Sequence, residues 1–428
     1  MSQALAWSKE DAVSTAAPPV TPPPVAFAAL RKPAFRVFVG TFMLTMMADN
    51  IEHVISYWAL FQKFHSSALG GFAVVSHWLP YLLFSFAVGA LNDRFDSRRL
   101  IQIGAVMFAC VSAGWGYFFL TDSLELWQAM ILLVLHGTAG VFWNTSSQVL
   151  LYDIVGPELL QSAVRINATA RYLGVLVGPA VGSLLLRTLG PTKGIFVNAA
   201  FYLPLVVWLV RAPYGRHFRG DAPPPKRAVK GLADILQTIR DVRGMPVLVT
   251  LITLAGAASF FIGNSYQAQM PGFATDLGNA DPGVAYSALL GADAAGALLG
   301  GLLLESGRRL FETKTSSALV LAMCWGGALG AFAITRSYPV ALCFLFAAGF
   351  CELSFSSMTQ TIVQMNAPNE IRGRVLGLFS MSSSGLRTFS GITVGLVGSA
   401  ITIHVSLAAA CVLFGMTALL LLIRVRRP

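Results

Sequence analysis

The residues able to do chemistry in this sequence sit where charge is rare. The run from Met46 to Leu60 places Asp49, Glu52, His53 and Ser56 at i, i+3, i+4 and i+7, which is one face of a helix. Two carboxylates and an imidazole on one apolar face can bind and release a proton. Further along, Asp293 lies in LLGADAAGALLG and Glu352 in AAGFCELSFSSMTQ, again inside apolar runs. Arg171 and Arg387 interrupt two more such runs, and buried arginines are expected to meet carboxylates. His77 and His136 stand alone in theirs and read as hydrogen-bonded packing residues. Trp58, Asn144, Gln148, Asn264, Tyr266 and Gln267 offer the aromatic and amide groups that suit a cavity for a large amphipathic molecule.

Charges at such positions are informative because the solvent must be lipid. Of the 428 residues, 55% are hydrophobic and only 12% charged, about half the charged fraction of a soluble domain. Mean hydropathy is +0.66. No soluble fold of this size has enough polar residues to cover that apolar surface. The net charge of +10 sits between apolar runs, so membrane topology explains it better than nucleic acid does. The five cysteines lie inside apolar runs without a Cys-x-x-Cys pair and read as small buried hydrophobes. No metal-ligand spacing and no phosphate-binding Gly-rich loop stands out, so no metal, no cofactor and no ATP-driven step is expected.

Twelve long apolar runs follow, at about 35–61, 70–92, 99–120, 125–150, 162–187, 191–211, 246–270, 283–305, 314–335, 338–364, 373–398 and 401–424. Each is long enough to cross a bilayer as a helix. The fold class is an all-α polytopic membrane protein of two six-helix bundles, 35–211 and 246–424. A Pro-rich tail, 1–34, precedes them and a polar linker, 212–245, joins them. The end of that linker, GLADILQTIRDVRG, has helical apolar spacing and is expected along the membrane surface. Arg and Lys crowd the tails and the even-numbered links, whereas the odd-numbered links hold only Lys63, Arg187, Lys193 and Arg336. Both termini are therefore expected in the cytoplasm, and the chain in the cell's inner membrane.

The link GALNDRFDSRRL, Gly89 to Leu100, is unusually charged. Its Gly89-to-Asp93 spacing recurs as Gly301 to Glu305 in the other half, with Arg308 and Arg309 loosely echoing Arg98 and Arg99. An internal duplication with a substrate path between the copies is transporter architecture.

Gly89 to Arg99 resembles the G-x-L-x-D-R-x-[GD]-x-R-[RK] signature of the major facilitator superfamily. Gly174, Gly178, Pro179 and Gly182 are similar to that family's G-x-x-x-G-P-x-x-G pattern, with Ser183 replacing the final Gly. IVQMNAPNEIRGRVLGLFSM and HGTAGVFWNTSSQVLLYDIVGPELLQSAVRIN resemble the branch that contains macrolide efflux pumps and the enterobactin exporter. The resemblance implies the major facilitator fold, with Asp93 held at the start of the eleventh helix near Arg372 to Arg374 while the pump is open outward. It places Arg94, Arg98 and Arg99 in a network with carboxylates. By the internal repeat, Glu305 would face Gln161 to Arg165. The glycines would form a close seam and a hinge at Pro179. Leu133 and His136 stand where many proton-coupled exporters carry the Arg and Gln of R-x-x-Q-G, which argues against that family's usual proton route.

The expected function is export of a hydrophobic or amphipathic small molecule by alternating access, coupled to protons. Import of a polar metabolite is the alternative on the same architecture, and a polytopic membrane enzyme the alternative of another class; no clustered catalytic set supports the enzyme. Expected partners are a small-molecule substrate, protons and membrane lipid, with no nucleic acid, for a chain acting as a monomer.

Overall fold

The computed structural model describes residues 26–64, 67–215, 232–263, 265–278, 282–306, 311–390 and 402–426. Most of the 1–34 tail, the middle of the linker, Asn264 and the last eight residues of the 373–398 run lie outside them. Among the described residues every regular element is helical.

The first bundle comprises α1 (Pro33–Phe64), α2 (Ser67–Asn92), α3 (Ser97–Thr121), α4 (Leu126–Val155), α5 (Leu160–Phe201) and α6 (Leu203–Arg211). The ends are set locally. The Asp96 side chain accepts the Arg98 N–H to start α3, and Glu125 and Gln128 form a capping box on α4. Asp122 ends α3 in the left-handed region with φ 48°. The stretch Leu160–Arg211 spans 52 residues and would run to about 78 Å as one helix, over twice the hydrocarbon thickness. Gly190, at φ 75° and ψ 174°, breaks it into two crossings.

The linker helix α7 (Leu232–Arg243) leads into the second bundle. Its Val242 is buried in that bundle's core, so the amphipathic face packs on protein rather than on lipid alone. Then come α8 (Pro246–Phe261), the short α9 (Ser265–Ala268) and α10 (Met270–Asp276), α11 (Pro282–Glu305), α12 (Thr315–Ile334) and α13 (Tyr338–Asn366). They are followed by α14 (Arg372–Ser380), α15 (Arg387–Ser390) and α16 (Ile403–Arg426). The seventh crossing is thus broken near Gly263, which has φ 50°. Between α14 and α15 the chain forms a π turn over Met381–Gly385, a distortion that often marks functional sites.

Each half closes on its own aromatic core. In the first, Phe42 stacks on Trp143 at 4.6 Å and Phe108 on Tyr202 at 5.1 Å. In the second, Trp325 stacks on Phe355 at 5.3 Å and meets Phe414 edge-on. Outward faces are apolar as well. Leu83, Leu120, Val207 and Leu420 are all exposed, as the bilayer requires. Cys110, Cys324 and Cys343 are exposed too, and only Cys411 is fully buried, which corrects their reading as buried residues. In lipid a thiol loses nothing by facing outward.

Gly174, Gly178 and Gly182 press α5 against α1. A Cβ on Gly178 would lie 2.6 Å from Asn50 Cβ and 2.9 Å from the Met47 carbonyl oxygen. The helix runs on through Pro179, and its break comes eleven residues later at Gly190. Gly178→Val is expected to separate the seam at a cost of about 1–3 kcal/mol or more. The check is the thermal melting temperature and monodispersity of the purified protein.

Candidate functional site

A cavity of about 280 Å³ lies between the two bundles. The first half lines it with Asp49, His53, His77 and Asn144, and the second with Gln267 and Arg387. Arg171 lines it from α5. Gln148 donates to Ser380 Oγ at 3.3 Å, joining α4 to α14 beside the cavity.

On the first-half wall, His136 of α4 sits between two α1 carboxylates. Its Nε2 is 2.8 Å from Asp49 Oδ1 and its Nδ1 2.8 Å from Glu52 Oε1. Both nitrogens meet carboxylate oxygens, so an imidazolium donating two N–H bonds satisfies the geometry. The Ser112 hydroxyl donates to the other Glu52 oxygen, and Asn198 donates to Ser112 at 3.2 Å. All three members of the triad are at most 4% exposed. Spacing alone had put Asp49 and Glu52 on one face with His53; it did not reveal His136, 84 residues away from Glu52 along the chain.

On the second-half side, the Tyr266 hydroxyl lies 3.1 Å from Asp293 Oδ2 and 3.3 Å from Glu352 Oε2. Gln267 Nε2 donates to the same Asp293 oxygen at 3.2 Å. Asp293 Oδ1 is buried without a hydrogen-bond partner. One hydroxyl proton can serve only one of the two carboxylates at a time.

Arg387 Nε donates to the Ser383 carbonyl in the π turn at 3.1 Å, and its guanidinium lies over the Trp78 ring at 4.9 Å. Arg171 lies 6.0 Å from the Tyr172 ring centroid and has no carboxylate within ion-pair distance among the described residues, contrary to the expectation of pairing. Its charge faces the cavity. Trp58, expected there, is instead 44% exposed and lines none of this cavity. Asp49, His53 and Tyr57 continue one helical face in steps of four, and Trp58 is about 100° off it. Tyr266 is fully buried behind the carboxylate pair, and Asn264 lies outside the described residues.

At the membrane side that carries the chain ends, α2 meets α14. The backbone N–H groups of Gly373 and Arg374 donate to Asp93 Oδ1 and Oδ2 at 2.7 and 3.2 Å, and Arg374 Nε is 3.7 Å from Oδ2. These are free donors at a helix N-terminus, where an anion is favoured. Gly89 makes the approach possible: a Cβ there would lie 2.7 Å from Gly377 Cα. Arg372 lies over the Tyr152 ring at 3.7 Å. Arg98 pairs with Asp96 at 2.6 Å and donates to the Ala212 carbonyl at 2.5 Å, tying the turn to the start of the linker. Arg99 donates to Gln102 rather than to a carboxylate, and Arg94 begins the turn with its N–H on the Leu91 carbonyl.

The pseudo-symmetric place in the other half holds Glu305. It accepts from the Ser162 hydroxyl at 2.7 Å and lies 3.9 Å from Arg165, which also donates to the Leu304 carbonyl at 2.7 Å. This contact uses side chains of α5, where Asp93 uses backbone N–H groups of α14.

Residues 24–428 match the transmembrane secretion effector family. The chain is 25% identical over 378 residues to the multidrug efflux pump Tap of Mycolicibacterium fortuitum, covering 86% of this chain and 90% of that one. It is 24% identical over 408 residues to the enterobactin exporter EntS of Shigella boydii, covering 92% and 93%. Among solved structures, the E. coli fucose:proton symporter FucP superposes with a TM-score of 0.69 at 13% identity, covering 92% of this chain and 98% of that one. The chain belongs to the transmembrane secretion effector family, an efflux branch of the major facilitator superfamily.

Proposed function

We propose that this protein exports an amphipathic small molecule, drug-like or siderophore-like, by alternating access driven by protons. The observation that carries the reading is the joining of the two halves at one end. On the side of the chain ends, Asp93 joins α2 to α14 and Glu305 joins α11 to α5. Beyond these contacts lies a cavity lined by both halves. The excess of Arg and Lys on that side makes it the cytoplasmic one. This state is then closed to the cytoplasm, and export requires the Asp93 and Glu305 contacts to open and re-form in each cycle. The relatives named for multidrug efflux and for enterobactin export support an amphipathic cargo.

Proton coupling is assigned to Asp293 and Glu352. The two carboxylates share one hydroxyl donor inside the membrane, where ionisable groups mark proton paths. Asp49 and Glu52 already enclose a cationic partner in His136, which suits them to holding the wall in shape.

The test is transport by the purified protein in proteoliposomes, over a panel of cationic dyes, macrolides and catecholates, with and without an imposed pH gradient. Accumulation that follows the gradient is expected. Transport indifferent to the gradient removes the antiport assignment, and no transport of any member removes the amphipathic-cargo assignment. In the same assay Glu305→Gln is expected to slow transport by only about threefold, because the neutral amide still accepts the Ser162 hydroxyl and the Arg165 contact, at 3.9 Å, is too long for a hydrogen bond.

A further inference from the structure

We propose that Asp49, His53 and His77 bind a divalent transition-metal ion on the first-half wall of the central cavity. Neither the family assignment nor the proton scheme asks for such an ion. One ligand atom from each of Asp49, His53, His77 and His136 lies within 4.8 Å of every other. The sequence did not single the set out, because its histidines come from α1, α2 and α4 and share no motif spacing.

The hydrogen bonds divide the four by role. His136 spends both nitrogens on Asp49 and Glu52, so it positions Asp49 rather than ligating. A ligating carboxylate is itself normally held by a hydrogen bond, as His136 holds Asp49. Asp49 keeps Oδ2, which no described hydrogen bond uses. His53 Nε2 and His77 Nδ1 are both buried without a hydrogen-bond partner. Buried polar atoms are rarely left so, and both rings belong to the cluster whose ligand atoms lie within 4.8 Å of one another. The rings are already oriented: His53 stacks on Tyr57 at 5.1 Å and meets His77 edge-on at 5.0 Å.

Two imidazoles and one carboxylate suit first-row divalent ions such as Zn²⁺, Co²⁺, Ni²⁺ or Fe²⁺ over Ca²⁺ or Mg²⁺. Metal–nitrogen bonds of about 2.0–2.1 Å put tetrahedral ligand atoms about 3.3 Å apart. Closing a 4.8 Å set to that spacing takes less than about an ångström of movement from each side chain. Three protein ligands leave coordination positions open towards the cavity, as in sites that exchange water or substrate. Arg171 and Arg387 line the same cavity and would oppose a bare cation but attract an anionic group on the ion's open positions. The ion is thus placed to be carried, or to hold cargo, as a complex with an anionic ligand.

The test is Co²⁺ titration of the full-length protein, purified without a polyhistidine tag. Visible bands of nitrogen-ligated Co²⁺ should saturate at one ion per chain and be displaced by Zn²⁺. His53→Ala and His77→Ala should each weaken binding by at least about tenfold, the loss typical even of outer-shell partners, and together abolish it. His404→Ala, whose ring contacts the Ala333 carbonyl and Asp276 outside this cavity, should leave it unchanged. If the variants do not fold, pulsed electron paramagnetic resonance of the wild-type protein loaded with Cu²⁺ counts the coordinated imidazoles directly, with two expected. Absence of saturable binding, binding unchanged in the double variant, or fewer than two coordinated imidazoles overturns the proposal. The proton scheme stands or falls separately, since its carboxylates are in the other half.

Discussion

Asp93→Asn is expected to cut transport by at least about tenfold while leaving the amount and melting temperature of the protein nearly unchanged. The carboxylate accepts two backbone N–H groups at the start of α14 and faces Arg374. Asparagine keeps one acceptor oxygen and turns an amide N–H₂ towards a donor. It also removes the negative charge from the helix terminus. Hydrogen bonds to a charged group are worth about 1.5–3 kcal/mol each, so losing one shifts the balance between closed and open ends by about 10- to 100-fold. Folding is spared because the bond joins the rims of two bundles that each have their own core. Gly89→Val should act at the same place by a different route, forcing α2 off Gly377. Transport assay beside calorimetry of the purified variants separates the two effects. Wild-type rates for Asp93→Asn would remove the latch from the cycle.

The second large effect is expected at the carboxylate pair. Glu352→Gln and Asp293→Asn should each lower gradient-driven accumulation by at least about tenfold while exchange of substrate across the membrane without a gradient persists. An amide mimics the protonated acid in shape and can still bond the Tyr266 hydroxyl, but it cannot release a proton. The cargo can then still be carried in either direction, and only the coupling is lost. Tyr266→Phe tests the bridge itself, leaving both carboxylates without their shared donor. Glu352→Gln with intact gradient dependence would send the proton elsewhere, with Asp49 and Glu52 the next groups to replace.

The helical crossings were legible in the sequence because lipid imposes long apolar runs. The predicted 99–120 run became Ser97–Thr121, and 338–364 became Tyr338–Asn366. Breaks were not legible. A run of the right length at 246–270 holds Gly263 in the left-handed region, and α14 gives way to a π turn at Met381. Neither conformation changes hydropathy. The proximity of Asp93 to Arg372–Arg374, and of Glu305 to Gln161–Arg165, was read from signature and repeat spacing; what those contacts do in transport is a proposal. Side-chain partners across helices were the least visible. Spacing along α1 put Asp49 and Glu52 on one face. Only the approach of α4 shows that His136 lies between them, and only the approach of α2 shows that His77 faces His53. Trp58 failed for a smaller reason, since an amphipathic aromatic fits lipid as well as it fits a cavity.

Alternating access is tested most directly by the distance between spin labels at positions 95 and 369, exposed sites in the α2–α3 turn and just before α14, in a background lacking the native cysteines. Pulsed dipolar spectroscopy in nanodiscs should resolve a short distance for the closed state described here and a longer one whose share grows when substrate or acid pH is supplied. Asp93→Asn should favour the longer distance without either ligand. A single short distance under every condition, unchanged by Asp93→Asn, would contradict the account.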